Sequence, residues 1–296
     1  MTTAGWTPPM PELEGATHRR VETGDVSLHV AELGPADAPP LLLVHGWPQN
    51  WWCWHRVAPL LATEYRLLMP DLRGHGWSDA PVAGYEKERL AGDLVGVLDA
   101  LEIERAGYIG HDWGTFCGFL ACFAAPERWR AFLGLSIPHP WPSRHDRLSP
   151  WRAAGFLYQI PLSLFGGAMS RRRLTTRVLK SASTGSPFDE RDIAAYESTM
   201  GSERGAHTTV AMYRTFLLRE LLPIIRGRYA NARMDIPARL LVGEGDLIGR
   251  GADLQGHEAN APLLEVERVP GARHFLPEER PELVAERARA LFGAEA

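Results

Sequence analysis

The residues best suited to do chemistry lie at positions 110–114, which run Gly-His-Asp-Trp-Gly. They follow a short apolar stretch and precede a helical pattern. This small-x-X-x-small layout is that of a nucleophile elbow, a sharp strand-to-helix turn that projects its central side chain alone. The central residue is Asp112, whose carboxylate needs no deprotonation to attack carbon and would form an ester with a substrate. An ordinary helix N-cap is the plain alternative for an aspartate at this position.

Two residues later in the chain suit the roles of partners to Asp112. Asp246 follows a predicted strand at 237–243, and His274 lies in a loop before a predicted last helix at 281–292. The chain order of nucleophile, acid and histidine is the order that elbow-type triads use. We expect His274 to activate a water that hydrolyses the ester, and Asp246 to fix the imidazole tautomer and stabilise its protonated form. A loop histidine is usually a surface residue, and position and chain order alone distinguish His274 from the others.

The segment His45-Gly46-Trp47-Pro48 directly follows the predicted strand at 41–44. A tight turn there would aim the backbone N–H of Trp47 into the same cavity, with the backbone N–H of Trp113 as the second donor of an oxyanion hole. Pro48 has no N–H and stiffens the turn. We assign His45 and Pro48 to the substrate-binding wall, with His45 acting chiefly as a buried hydrogen-bonding support. An ordinary strand-end turn would explain Gly46 but not its coincidence with the elbow.

These residues require a scaffold that brings several loops to one edge of a sheet. Short apolar stretches alternate with helix-compatible ones, which predicts an α/β fold with a mainly parallel sheet covered on both faces. Helices are expected at 86–101, 115–125 and 281–292. Strands are expected at 26–32, 41–44, 66–69, 107–110, 131–136, 237–243 and 263–269.

A break in this pattern after the predicted strand at 131–136 predicts an inserted domain. Residues 138–142 contain three prolines, which neither a helix nor an inner strand tolerates. From residue 148 to about 229 the pattern is helical and shows no convincing strand. We therefore expect a helical cap at 139–231, inserted into an α/β core that is formed by 1–138 and 232–296.

Composition narrows the class of protein. Of 296 residues, 45% are hydrophobic and 23% are charged, which is ordinary for a globular protein and excludes a disordered or fibrous chain. A formal charge of −4 argues against a nucleic-acid partner, and no apolar stretch is long enough to predict a membrane span. The 3 cysteines form neither a disulfide framework nor a CxxC metal pair. Because no secretory signal pattern is present either, we expect a cytoplasmic protein.

Together with the segment 71–79, DLRGHGWSD, these motifs resemble the α/β-hydrolase superfamily. The aspartate at the elbow narrows the resemblance to the branch of epoxide hydrolases and haloalkane dehalogenases. The matching motifs extend from His45 to His274 and so cover most of the chain. The resemblance implies an eight-stranded, mostly parallel sheet with an inserted helical cap, and it implies neither a metal nor an organic cofactor.

Within this branch, the residues of the predicted cap favour the opening of an epoxide to a vicinal diol. In related epoxide hydrolases, cap tyrosines hydrogen-bond the epoxide oxygen and protonate the alkoxide, which is otherwise a strongly basic leaving group. Tyr213 resembles the second cap tyrosine and Tyr158 the first, with Tyr196 as a weaker substitute. Tyr213 and Tyr158 could equally be aromatic residues that pack in the cap core.

A haloalkane dehalogenase with the same triad is the main alternative. That reaction needs N–H donors around the leaving halide. Trp113 matches one donor, and Trp141 or Trp151, which we assign to the substrate-binding wall, could supply the other. A non-catalytic ligand-binding protein of the same fold is a third hypothesis. The 10 tryptophans and the helical cap predict a small apolar or amphipathic substrate, bound by a monomer or homodimer.

Overall fold

The structure is a computed structural model that describes residues 7–141, 157–170, 173–249 and 254–293. The strands are β1 Thr17–Glu22, β2 Ser27–Leu33, β3 Pro40–Val44, β4 Arg66–Pro70, β5 Ala106–His111, β6 Trp129–Leu135, β7 Ala238–Gly243 and β8 Leu264–Val269. They form one eight-stranded sheet in the order β1-β2-β4-β3-β5-β6-β7-β8. β2 pairs antiparallel with β1 and with β4, and all the other neighbours pair in parallel.

The sheet confirms the α/β-hydrolase fold that the sequence predicts, with eight strands and mostly parallel pairing. The central strand β5 is buried at every position. Helices cover both faces of such a strand, so its sequence is a continuous apolar run rather than an alternating one. β1 corresponds to no predicted strand, because its sequence THRRVE is largely polar and mostly exposed.

Helices cover the sheet, and further helices lie in the part of the chain between β6 and β7. The helix α3 begins at Trp113 rather than at residue 115, because Asp112 itself takes the N-cap position. No helix among the described residues is both long and apolar enough to cross a bilayer. The helices are α1 Ala58–Leu61, α2 Lys87–Ala100, α3 Trp113–Ala124, α4 Gln159–Ser170, α5 Leu174–Ser181, α6 Glu190–Met200, α7 Glu203–Thr215, α8 Leu221–Ile225, α9 Leu276–Glu279 and α10 Pro281–Phe292.

The helices α4–α8, here called the cap helices, lie in the interval predicted for the cap. α4 packs against α7, and a π-helical stretch, Phe216–Glu220, joins α7 to α8. Residues 157–170 and 173–231, the described part of the interval beyond Trp141, contain no strand. The boundaries of the cap at 139 and 231 stay a prediction.

The turn between β5 and α3 is a single residue long. Asp112 has a φ of 52° and a ψ of −121°. Residues other than glycine rarely adopt this backbone conformation, and it persists only where the surrounding structure enforces it. Its N–H donates to the carbonyl of Leu135 at 3.1 Å, which ties the turn to β6. A Cβ on Gly114 would lie 2.1 Å from the carbonyl oxygen of Val44. Only glycine therefore lets α3 start this close to β3.

We expect Gly114→Ala to lower the free energy of unfolding by about 3 kcal/mol or more, because the new Cβ must displace backbone. The matched control is Gly92→Ala in α2, where a Cβ meets nothing within 4 Å. That change should stabilise the protein by about 0.5–1 kcal/mol through helix propensity. Chemical denaturation of the two variants measures both effects, and equal stabilities would contradict the packing argument.

Candidate active site

Asp112, His274 and Asp246 meet at the carboxyl edge of the sheet, where the ends of parallel strands lie together. His274 Nε2 lies 3.5 Å from Asp112 Oδ2, and His274 Nδ1 lies 3.0 Å from Asp246 Oδ2. All three residues are buried. The other oxygen of Asp246 accepts the backbone N–H of Ile248 at 2.9 Å. In the part of the chain that the structure describes, no group of three or more His, Cys, Asp or Glu could hold a metal ion.

The two ionisable groups that face each other, Asp112 and His274, hold opposite charges. Burial alone would lower the pKa of His274, but the charge of Asp246 and the hydrogen bond to Asp112 outweigh it and raise this pKa to about 10. Burial would likewise raise the pKa of Asp112, but the hydrogen bond and charge of His274 bring this pKa below its ordinary value. At neutral pH the pair is therefore a carboxylate and an imidazolium.

Two backbone N–H groups point at the Asp112 carboxylate. The N–H of Trp47 donates to Oδ1 at 2.9 Å, and the N–H of Trp113 also hydrogen-bonds the carboxylate. The turn that carries Trp47 comes so close that a Cβ on Gly46 would lie 2.4 Å from the Asp112 Cβ. Asp112 Oδ1 thus accepts the N–H of Trp47, whereas Oδ2 faces His274.

His45 supports this turn from behind. Its Nδ1 donates to the carbonyl of Gly46 at 3.0 Å, and its Nε2 accepts the N–H of Leu72 at 3.0 Å. Burial lowers the pKa of His45, which favours the neutral ring that this pattern requires. Because both nitrogens are engaged and the side chain is fully buried, His45 has no free nitrogen to offer a ligand, and its assignment to the substrate-binding wall stays a prediction. Pro48 is also buried, and its contact with substrate stays a prediction.

Three residues that the sequence analysis missed hold the His274 loop. The carbonyl of His274 accepts hydrogen bonds from Ser136 Oγ at 2.6 Å and from His111 Nε2 at 2.8 Å. Glu279 accepts the backbone N–H groups of both neighbours of His274, each at 2.9 Å. His111 lies inside the elbow motif and could have been noticed there. Nothing local marks Ser136, because its partner is 138 residues away in the chain.

The two predicted cap tyrosines lie together, close enough to Asp112 for its charge to act on both hydroxyls. The ring of Tyr213 is buried, with its centroid 5.3 Å from that of Trp47 and 6.0 Å from that of Trp113. The Tyr158 ring lies 6.1 Å from the Tyr213 ring, and the two hydroxyls hydrogen-bond each other. Burial raises the pKa of each hydroxyl, and the charge of Asp112 raises both further. Tyr158 keeps 37% of its surface exposed, so it stands at the outer side of this pair.

The tryptophans predicted as donors differ in what their indole N–H groups do. The Trp113 Nε1–H lies near enough to the Tyr213 hydroxyl to lower the pKa of that hydroxyl. It donates no hydrogen bond of ordinary length to any of the described residues. The Trp141 Nε1–H donates to the carbonyl of Ala232 at 2.7 Å, so this group is not free to bind a ligand. Trp151 lies outside the described residues.

Tyr196, the suggested substitute for a cap tyrosine, belongs to a different buried cluster. Its hydroxyl donates to Glu278 Oε1 at 2.8 Å, and the side-chain amide of Gln49 donates to the same oxygen. Burial raises the pKa of Glu278 to about 8, with a further contribution from the charge of Asp192, and the two hydrogen bonds only partly oppose this.

We expect the stability of the protein to fall as pH rises toward 8, in part because of Glu278. The folded state holds this proton with a pKa of about 8, whereas the unfolded chain releases it near the ordinary value of about 4.3. The cost is absent below the unfolded pKa and grows until the folded group also ionises. Glu278→Gln keeps both hydrogen bonds and should therefore stabilise the protein at pH 9 by up to about 5 kcal/mol.

Denaturation at pH 5 and at pH 9 measures this difference. The gain should shrink to about 1 kcal/mol at pH 5, because this pH lies only about 0.7 units above the pKa of the unfolded group. The control is Glu14→Gln on the exposed surface, which should change neither curve. A Glu278→Gln variant with the pH profile of the parent protein would show that this carboxyl group does not titrate as described.

Comparisons with known proteins agree with the fold. A family model described as the alpha/beta hydrolase fold matches residues 39–176. "Epoxide hydrolase 3" of Siraitia grosvenorii is 28% identical over 304 residues, covering 90% of this chain and 94% of the relative. "Soluble epoxide hydrolase" of Corynebacterium sp. (strain C12) is 29% identical over 296 residues, covering 93% and 97%.

A solved structure of an epoxide hydrolase from Vigna radiata superposes with a TM-score of 0.80 at 25% identity, covering 96% of this chain and 100% of that one. These relatives align along almost the whole chain rather than over one motif. The resemblance predicted from the motifs is therefore confirmed. The chain therefore has the α/β-hydrolase fold, and its sequence is similar to these epoxide hydrolases along almost its whole length.

Proposed function

We propose that this protein opens an epoxide to a vicinal diol through a covalent ester on Asp112. One observation carries the proposal: the buried Asp112 carboxylate lies 3.5 Å from His274 Nε2, and two tyrosine hydroxyls lie close enough for its charge to act on them. The relatives named epoxide hydrolases support the same activity. Because aromatic side chains surround the site, the proposed substrate is a small apolar or amphipathic epoxide.

In the first step, Oδ2 of Asp112 attacks one epoxide carbon, and the bond from that carbon to the epoxide oxygen breaks. The expelled alkoxide is strongly basic and takes a proton from a tyrosine hydroxyl. The raised pKa values of Tyr158 and Tyr213 keep both hydroxyls protonated until the alkoxide forms. The step yields an Asp112 ester, a new hydroxyl on the substrate and one tyrosinate.

The imidazolium of His274 then supplies the proton that the tyrosine lost. Esterification removes the negative charge of Asp112, which is one of the causes that hold the pKa of His274 at about 10. The imidazolium therefore becomes a stronger acid and protonates the tyrosinate. His274 is left neutral, with Nδ1–H directed at Asp246 and a bare Nε2 directed at the ester.

In the second step, Nε2 of His274 takes a proton from a water whose oxygen attacks Cγ of the ester. The N–H groups of Trp47 and Trp113 stabilise the charge that develops on Oδ1. The Cγ–Oδ2 bond then breaks, so Oδ2 leaves within the diol and the water oxygen remains on Asp112. The imidazolium protonates the leaving alkoxide, and the new carboxylic acid returns its proton to His274, which restores the resting pair.

The indole N–H of Trp113 supports a second candidate function, haloalkane dehalogenation. A buried N–H donor with no partner among the described residues, next to a carboxylate nucleophile, could bind a leaving halide. The same ester and the same histidine would serve that reaction. A halide needs no proton on departure, however, so the two tyrosine hydroxyls near Asp112 favour epoxide opening.

Product analysis with a panel of epoxides, including styrene oxide, and a matched panel of bromoalkanes separates the two candidates. We expect diol from at least one epoxide and little halide release. Tyr213→Phe should slow diol formation by about 10²- to 10⁴-fold, the usual contribution of a general acid, and should leave any halide release unchanged. Halide without diol would reverse the order of the candidates, and neither product would contradict both.

We expect His274→Gln to form the ester once and then stall. Loss of the general base should reduce steady-state turnover by about 10²- to 10⁴-fold. Intact-protein mass spectrometry after incubation with styrene oxide should show the protein with one added substrate, and peptide mapping should place it on Asp112. Rapid multiple turnover by this variant would contradict the role assigned to His274.

Asp112→Ala is the matched control, because it should form neither ester nor diol. A single turnover of the parent protein in H₂¹⁸O provides an independent test. The scheme puts the isotope on Asp112 and leaves the first diol unlabelled. Isotope in the first diol instead would mean that water attacks the epoxide directly.

A further inference from the structure

A buried lysine lies behind the site and takes no part in the proposed chemistry. Lys87, the first residue of α2, is fully buried, and its ammonium lies 3.1 Å from Glu220 Oε2. It also donates to the carbonyl oxygens of Tyr85 at 3.1 Å and of Met212 at 3.5 Å. An apolar side chain could fill such a position at no desolvation cost. The ion pair therefore points to a role beyond packing.

Glu220 reaches Lys87 from an irregular stretch of the cap helices. It is the last residue of the π-helical stretch Phe216–Glu220 that follows α7. The wider π turn changes the direction of the side chains that follow it, and such stretches occur frequently at functional sites. Oε1 of Glu220 accepts the backbone N–H of Lys87 at 2.7 Å, while Oε2 binds the ammonium. A carboxylate from the cap helices thus completes the first turn of α2, where negative charge is favoured.

The same ammonium contacts the segments that carry Asp112 and Tyr213. Nζ of Lys87 lies 4.6 Å from the ring centroid of Trp113, the residue after Asp112, within the range of a cation–π interaction. The carbonyl of Met212, which Nζ also contacts, belongs to the residue before Tyr213. The buried ammonium of Lys87 therefore contacts both the elbow and α7.

We propose that Lys87 and Glu220 form a positioning pair that holds Tyr213 in register with Asp112 and so sets the rate of ester formation. The inference rests on the proposed function, in which a cap tyrosine protonates the leaving alkoxide. The pair acts through the contacts of the ammonium with the elbow and with α7, and neither side chain touches the substrate. Ester hydrolysis uses His274 and backbone donors, so loss of the pair slows the first step and leaves the second unchanged.

The test removes both charges together with Lys87→Met and Glu220→Gln, because a single change would leave one buried charge unpaired. In the His274→Gln background, rapid quenching and mass spectrometry with styrene oxide measure the rate of ester formation. In the protein that keeps His274, the decay of the ester during a single turnover measures the rate of its hydrolysis. We expect ester formation to fall about 100-fold, the effect of a misplacement near 1 Å, with an unchanged rate of hydrolysis.

Glu88→Gln is the matched control. Glu88 is one residue from Lys87 and also joins α2 to the interval between β6 and β7, through Arg228 at 2.6 Å and Tyr229 at 3.0 Å. It should leave both rates unchanged. Glu220→Gln alone is the second variant, in case the double variant does not fold. It keeps one acceptor oxygen for Lys87 and loses the other together with the charge, and it should show a smaller loss that is again confined to ester formation.

Equal slowing of both steps would reveal a general structural defect and would overturn the proposal. Parent rates in the double variant would overturn it as well. If the parent protein itself forms no ester with any epoxide, the proposed function fails, and the positioning role fails with it. An ester that forms in the parent but is unaffected by Glu220→Gln and by the double variant removes the positioning role alone.

Discussion

The burial of the Asp112 charge is the constraint on which the rest of this structure depends. A carboxylate that leaves water must replace its hydration with fixed partners. Here the backbone N–H groups of Trp47 and Trp113 hydrogen-bond the carboxylate, and His274 faces Oδ2. The backbone at Asp112 adopts a positive φ, which persists because a strand, a helix and the Gly46 turn close around it. Strain and charge at one residue thus explain why the residues around it are buried and why Gly46 has no room for a Cβ.

The site is divided between two parts of the chain, and this division matches the chemistry proposed for it. The sheet supplies the nucleophile and the base, which must stay in fixed register because proton transfer depends on short distances. Tyr213 lies on α7 and Tyr158 directly precedes α4, and both need only be protonated and close. Desolvation, together with the Asp112 charge, raises the pKa of both hydroxyls and ensures the first condition. The contacts of Lys87 with Trp113, Met212 and Glu220 bear on the second, because they join the two parts directly behind the site.

Much of the fold could be predicted because its signals are local. Strands such as β5 are continuous apolar runs, and glycines mark the elbow because only they allow α3 to approach β3. The prediction failed where a segment takes its conformation from its partner, as β1 does by pairing with β2. The contacts of individual side chains were predicted less well. His45 Nε2 is bound to the N–H of Leu72, and the Trp141 N–H is bound to the carbonyl of Ala232. These backbone partners are distant in sequence, so no local pattern indicates them.

The sequence by itself determined which residues could serve as nucleophile, acid and histidine, because chain order and glycine spacing are written in one dimension. It also determined the class of sheet, since strand–helix alternation dictates parallel pairing. Only the tertiary structure decided that neighbouring charges raise the pKa of His274, that the two tyrosines lie together near the elbow, and that a lysine and a glutamate 133 residues apart share one buried contact. Charge states and side-chain directions depend on desolvation and on partners brought together by folding, and neither exists in the unfolded chain.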